Sequence, residues 1–212
     1  MNHKNPENII FDLGGVIINL DVNSTFQKFS EIFGIDLKTE SISDLDNFGF
    51  FQEYELGRIG DEEFRSNIRQ MAEVSVSDSQ IDEAWNAMLL DIPTDRIGWI
   101  YEATRKYNCV ILSNTNAIHV KHFEQFFSDV TPYGHPKSVF QNLFYSHELG
   151  ERKPNKAAFS YVLDATGFDP EKTVLFDDLT DNLASANELG ILTEYVERNN
   201  LKRDQLLNLD GR

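Results

Sequence analysis

Four short stretches carry residues able to do chemistry together: Asp12 in "FDLGGV", Ser113 and Asn114 in "VILSNTN", Lys153 in "GERKPN", and Asp177 with Asp178 in "VLFDDLTDN". Each closes or follows an apolar run. Carboxylates gathered at one edge of a buried sheet repel one another and resist ionisation. A divalent cation removes that repulsion, and an all-oxygen donor set suits Mg²⁺. Lys153 would neutralise part of the remaining charge, while Ser113 and main-chain N–H groups could grip a phosphate. A carboxylate so placed can attack phosphorus, giving an acyl phosphate that water later cleaves. The joint expectation is metal-assisted phosphoryl transfer.

Each residue also has a plainer role. An Asp at a strand end is commonly a turn or helix cap, and Ser113 could cap the next helix. Asp177 and Asp178 could simply favour a helix N-terminus, and Lys153 could be a solvated lysine. The argument for chemistry is their recurrence at successive strand ends. In an open parallel sheet, ligands bind beyond the carboxyl ends of the strands, where the strand order reverses.

The elements that must position these residues are legible. Apolar runs at 8–12, 108–113, 142–146, 173–177 and 191–196 read as strands, most of them apolar on both faces, as in a parallel sheet covered by helices. "NKAAFSYVLDATG" and "DNLASANELG" read as helices that stop at Gly167 and Gly190, and Asp169 offers a cap just before Pro170. The alternation predicts an α/β fold, a doubly wound parallel sheet. The stretch between the first two strands far exceeds one crossover helix. Within it, "STFQKFSEIFG", "SDLDNFGFFQEYELG", "DEEFRSNIRQMAE" and "SQIDEAWNAMLL" read as helices, the last opened by a Ser77–Gln80 capping box. Their phenylalanines, with Met71, Trp85 and Met88, fall at helical spacing and read as packing. The expected organisation is a core of residues 1–20 and 91–212 with an inserted helical cap over 21–90. "SDVTPYGHPKSVFQN", at 128–142, is expected to be a long surface loop bordering the site.

Composition narrows the partners. The 212 residues carry a formal charge of −16, which disfavours nucleic acid and anionic membranes, so an anionic substrate would need local positive groups or a bound cation. Cys109 is the single cysteine, set among apolar residues, and reads as a buried structural thiol in a reducing compartment. No apolar stretch approaches the roughly 20 residues that span a bilayer. A cytoplasmic location is expected.

The ordered set of four motifs resembles the haloacid dehalogenase-like (HAD) superfamily, specifically its Mg²⁺-dependent phosphatases with a small helical cap after the first strand. The resemblance covers nearly the whole chain. It implies a Rossmann-like core with strand order 5-4-1-2-3. By resemblance, Asp12 is the nucleophile and a metal ligand, and the carbonyl of Gly14 is another ligand. Ser113 and Asn114 would contact the phosphoryl group, and Lys153 would orient the nucleophile. Asp178 would bind Mg²⁺ directly with Asp177 beside it, and Asp181 and Asn182 would support the loop. The implied substrate is a small phosphorylated metabolite, a sugar phosphate.

One position departs from the family pattern. Most phosphatases of this kind place a second Asp two residues after the nucleophile to protonate the leaving group, and here that place is Gly14. General acid–base catalysis contributes about 10²- to 10⁴-fold. Another group could supply the proton, the substrate could have an easy leaving group, or the chain could be a catalytically weak binding protein. A phosphomutase is a further alternative; a metal-free dehalogenase fits poorly with the paired aspartates. Among lesser candidates, Arg58 in "ELGRIG" could reach a substrate anion, and Arg152 could add positive potential. His119 and His122 are expected to be exposed or to cap a helix, and not to form a zinc site.

Overall fold

The structure, a computed structural model, describes residues 5–33, 49–72, 75–207 and 209. Strands β1 (Asn8–Phe11), β2 (Asn108–Ser113), β3 (Asn142–Tyr145), β4 (Thr173–Asp177) and β5 (Leu192–Tyr195) form one parallel sheet. Their order, β3-β2-β1-β4-β5, is the expected 5-4-1-2-3 read from the other edge. Boundaries differ from expectation by a residue or so. Asp12 follows β1, and Ser146 opens the short helix α7 (Ser146–Leu149).

The pleat explains why the strands are apolar throughout. Ile9, Phe11, Cys109, Ile111, Val174 and Phe176 face one side, where they meet α5 (Thr94–Ala103), α6 (Ala117–Val130) and α10 (Arg203–Leu207). Ile10, Val110, Leu112 and Leu175 face the other, against α8 (Lys156–Thr166) and α9 (Thr180–Asn187). Helices on both faces bury both sets of side chains. Cys109 lies in the first layer, and burial pushes its thiol up to about 12, so it is an inert core residue. Gly167 ends α8 in the left-handed conformation and Asp169 caps the 3-10 turn Pro170–Lys172, as the sequence indicates.

The helices between β1 and β2 have a core of their own. In α1 (Val22–Phe33), α2 (Phe50–Glu55), α3 (Asp61–Ala72) and α4 (Asp78–Asn86), the side chains Phe26, Phe29, Phe51, Tyr54, Phe64, Ile81 and Trp85 are buried together. Phe64 sits at their centre, stacked on Tyr54 with centroids 4.3 Å apart. α4 opens with the Ser77–Gln80 capping box. The second expected helix extended to Ser43; only its Phe50–Glu55 portion is observed, and 43–48 lie outside the described residues. The segments entering and leaving this layer run side by side, with Asn19 N–H donating to Asp91 O at 2.9 Å and Leu90 N–H to Asn19 O at 2.9 Å.

Two expectations need correction. Residues 128–142 do not form a free loop beside the site. α6 continues to Val130, and a 3-10 turn over Pro136–Ser138 delivers Val139 and Phe140 into the core, 6% and 1% exposed. The segment leads into the start of β3, at the opposite end of the sheet from the strand termini that carry the motifs. The apolar residues at 139 and 140 outweighed the Pro/Gly signal around them. His119 is also not exposed. It is buried against Trp85, ring centroids 4.6 Å apart, with Nε2 3.1 Å from Trp85 O and Nδ1 3.1 Å from Asn116 Nδ2. Since the amide donates to Nδ1, Nε2 carries the proton and donates to the carbonyl.

Burial holds the His119 pKa down at about 4, with the Trp85 carbonyl opposing and His122 adding to the shift. Its unfolded value is the higher, so the unfolded chain takes up the proton first as pH falls. The neutral ring's contribution is therefore complete above about 6.5 and is lost progressively toward 4. Between pH 7 and pH 5 the protein should lose about 2 kcal/mol of stability from this group. Urea midpoints at the two pH values should differ more for the wild type than for His119→Gln.

Candidate active site

The register of β1 with β4 pairs Phe11 with Phe176, so Asp12 and Asp177 leave the sheet side by side. The main chain of Asp12 still follows the ladder, its N–H donating to Phe176 O at 2.9 Å. Between the two carboxylates lies the ammonium of Lys153, itself 1% exposed. Its Nζ is 3.0 Å from Asp12 Oδ1 and 2.6 Å from Asp177 Oδ2. Burial alone would lower the Lys153 pKa, but Asp12 and Asp177 outweigh it and hold it above the usual lysine value. For Asp12 burial wins over Lys153, and its pKa rises to about 7, with Asp177 and Asp178 pushing the same way.

Each member is held from behind. Asn114 forms a reciprocal amide pair with the main chain of Lys153: Nδ2 donates to Lys153 O and Lys153 N–H donates to Oδ1, both at 2.8 Å. Asp177 accepts from Asn182 Nδ2 at 2.9 and 3.1 Å and from Leu179 N–H at 2.9 Å. Asp178 accepts from Arg198 Nε at 2.6 Å, and burial raises its pKa despite that partner. Ser113 is buried at the end of β2 and borders the same space.

The turn after Asp12 is tight. Gly15 has φ +77°, and a Cβ on it would stand 2.8 Å from Asp178 Oδ2, so glycine lets this loop approach the second carboxylate. A Cβ on Gly14 would lie 2.5 Å from Leu20 Cδ1. Leu20 thus fills the space into which a side chain at position 14 would project. The loop is braced by the segment after β5: Asn199 N–H donates to Gly15 O at 2.7 Å, and its side chain bonds both Leu20 N–H and Leu20 O. The buried guanidinium of Arg96 donates to Ile17 O at 3.0 Å and to Asn199 O at 2.6 Å.

These residues open into a cavity of about 610 Å³. Asp12, Gly14, Ser113, Asn114, Lys153 and Asp178 line its floor, and Glu55, Trp85 and Met88 reach it from the helical layer. Arg58 does not line it. Its guanidinium pairs with Glu53 on the surface at 2.8 Å, because the turn between Gly57 and Gly60 directs it outward. The Asn114 side chain lines the cavity and is engaged with the main chain of Lys153. Among the described residues, Asp12, Asp177 and Asp178 form the acidic group that could hold an ion, with one ligand atom each all within 4.8 Å of one another. Their hard oxygens fit Mg²⁺, and a cation there would oppose the burial that raises the Asp12 pKa.

Arg96, Arg198, Asn199 and Glu55 lie outside the four sequence motifs. The strand-end rule, applied to β5, points to Arg198 and Asn199 in "VERNN". Nothing local distinguishes Arg96 or Glu55.

Comparison with known proteins agrees with this arrangement. No protein-family model matches the chain. A HAD family enzyme of Bacteroides thetaiotaomicron, BT-2542, has a crystal structure that superposes with a TM-score of 0.85 at 36% identity, covering 92% of this chain and 95% of that one. Another structure of that enzyme, a complex with magnesium and inorganic phosphate, gives 0.80 at 37% identity over 91% and 95% of the two chains. A HAD-like family hydrolase of Porphyromonas gingivalis gives 0.82 at 30% identity over 92% and 93%. The D-ribitol-5-phosphate phosphatase of B. thetaiotaomicron is 27% identical over 196 residues, 90% of this chain and 92% of that protein. The chain belongs to the HAD family of hydrolases.

Removing the Lys153 ammonium leaves Asp177 buried without its ion-pair partner. Lys153→Met should cost about 3–5 kcal/mol of stability in metal-free buffer, read by urea denaturation.

Proposed function

We propose that this protein is a Mg²⁺-dependent phosphatase that hydrolyses a small sugar phosphate through an aspartyl phosphate on Asp12. The observation that carries the proposal is the buried Asp12 carboxylate at the end of β1, facing Lys153 and converging with Asp177 and Asp178. The named phosphatase relative and the magnesium–phosphate complex of BT-2542 support it.

The chain's own residues divide the work. One Asp12 oxygen attacks phosphorus, the ester P–O bond breaks, and the leaving oxygen takes up a proton. Water then attacks phosphorus of the acyl phosphate, releasing phosphate and restoring the carboxylate. Lys153 orients Asp12, and Ser113 with neighbouring main-chain N–H groups holds the phosphoryl oxygens. Asp12, the Gly14 carbonyl and Asp178 are the proposed metal ligands. Asp177, bonded by Lys153, Asn182 and Leu179, is better suited to steadying Lys153. Bound Mg²⁺ supplies the positive charge that lets an anionic carboxylate and an anionic phosphoryl group approach. Gly14 cannot deliver the leaving-group proton, which must come from solvent or from across the cavity.

Residues 21–90 act in this reading as a cap over a core of 1–20 and 91–212. Their separate hydrophobic cluster and the paired segments at Asn19–Leu20 and Leu89–Asp91 support that division. The net charge of −16 argues against nucleic acid as a partner. Among the described residues no helix is long and apolar enough to cross a membrane, and the buried thiol of Cys109 suits a cytoplasmic setting.

Phosphate release from a panel of sugar phosphates and p-nitrophenyl phosphate should require Mg²⁺, stop with chelator, and vanish in Asp12→Asn. Asp178→Ala should weaken Mg²⁺ binding, measured by calorimetry. Unimpaired release by Asp12→Asn would overturn the mechanism. Mg²⁺ and phosphate binding without turnover of any substrate would identify a binding protein, the outcome that Gly14 would then explain.

A further inference from the structure

We infer that Glu55 and Arg152 form a recognition site for hydroxyl groups, so that the cavity selects a polyhydroxylated monophosphate. The inference rests on the phosphatase reading and extends it to the part of the substrate that does not react. Glu55, the last residue of α2, pairs with Arg152 Nη2 at 3.3 Å, and both side chains are 18% exposed. Both line the cavity that holds Asp12. Arg152 is the residue before Lys153, so it leaves the main chain about 3.8 Å from the Cα of the lysine that touches the nucleophile. A ligand whose phosphate lies on Asp12 would extend its chain past this pair.

The chemistry of the pair selects the ligand class. A guanidinium offers only donors and a carboxylate only acceptors, whereas an alcohol both donates and accepts. Side by side, the two groups match the O–H of a polyol or open-chain sugar. Glu55 cancels the charge of Arg152, and Asp21 and Asp181 also border the cavity, so the pair offers a second phosphate no net positive charge. Leu20, Trp85, Met88 and Leu89 also line the cavity and offer apolar surface suited to the C–H edges of such a chain.

The seam between α2 and the core is also closed by main-chain packing. A Cβ on Gly57 would stand 2.0 Å from His147 O, so main-chain packing already brings the end of α2 against α7. A site built to bond a hydroxyl discriminates against a ligand lacking it, because its polar groups then lose their solvation without replacement.

Two measurements on the full-length chain test this. In an Asp12→Asn background, which prevents turnover, ribitol 5-phosphate and inorganic phosphate are titrated calorimetrically with Mg²⁺ present. The parent should prefer ribitol 5-phosphate by about tenfold or more, and Glu55→Gln or Arg152→Gln should cut that ratio to within about threefold. With Asp12 intact, the ratio of kcat/KM for ribitol 5-phosphate over p-nitrophenyl phosphate should fall in the same variants. No preference in the parent, or ratios that the variants leave unchanged while both substrates weaken together, would overturn the inference and reduce the pair to a structural tie. If the wild type releases phosphate from neither substrate, the phosphatase reading fails, and the binding ratio still decides the hydroxyl site.

Discussion

The ammonium of Lys153, buried between Asp12 and Asp177, is the contact on which the rest of the structure depends. Three charged groups withdrawn from water would cost several kcal/mol each if left unmatched. The fold matches them with chain segments remote in sequence. β1 and β4 supply the carboxylates as neighbours in the sheet, and the turn after α7 supplies the lysine. Asn114, at the end of β2, fixes the lysine's main chain, and Asn182, in α9, fixes Asp177. The centre of the parallel sheet therefore serves as a mould for one ion-pair cluster. Asp12, Asp177 and Asp178 outnumber their cationic partners Lys153 and Arg198, and that excess of negative charge is the physical basis for a cation there.

A second constraint lies in the loop from Leu13 to Leu20. It must turn sharply beside Asp178, which Gly15 permits, and it is then held by contacts from elements far along the chain. Asn199 itself adopts φ 65°, a conformation that asparagine tolerates better than most residues, and so directs its side chain and N–H at the loop. Arg96 ties both segments together from the buried side. The Leu20 side chain lies beside Gly14 and would have to shift to make room for a side chain there. The packing thus holds Asp12 firmly, while Gly14 offers no titratable side chain beside it.

The helical layer does different work. It packs around an aromatic cluster that also takes in Ile118 of α6, and its join to that helix runs through Trp85, His119 and Asn116, with Tyr54 OH accepting from Ile118 N–H at 3.2 Å. These contacts lie at the edge of the cavity that Glu55, Trp85 and Met88 border. Residues from the strand ends and from the helices thus line one space.

What the sequence determined by itself was local and periodic. Runs of apolar residues defined all five strands to within a residue or two, and side chains such as Asp12, Ser113 and Asp177 marked their ends. The Ser77–Gln80 and Asp169 caps could be read because capping joins residues two or three apart. Tertiary structure decided everything that depends on a partner distant in sequence. His119 looked like a surface histidine, yet Trp85 buries it. The Pro/Gly-rich segment at 128–142 looked like an open loop, yet Val139 and Phe140 anchor it. Arg58 is turned away from the cavity, while Glu55, Arg96 and Asn199 gain their roles only through residues tens of positions away. Local propensity extends over a few bonds, whereas burial and electrostatic pairing depend on distances that only the folded chain sets.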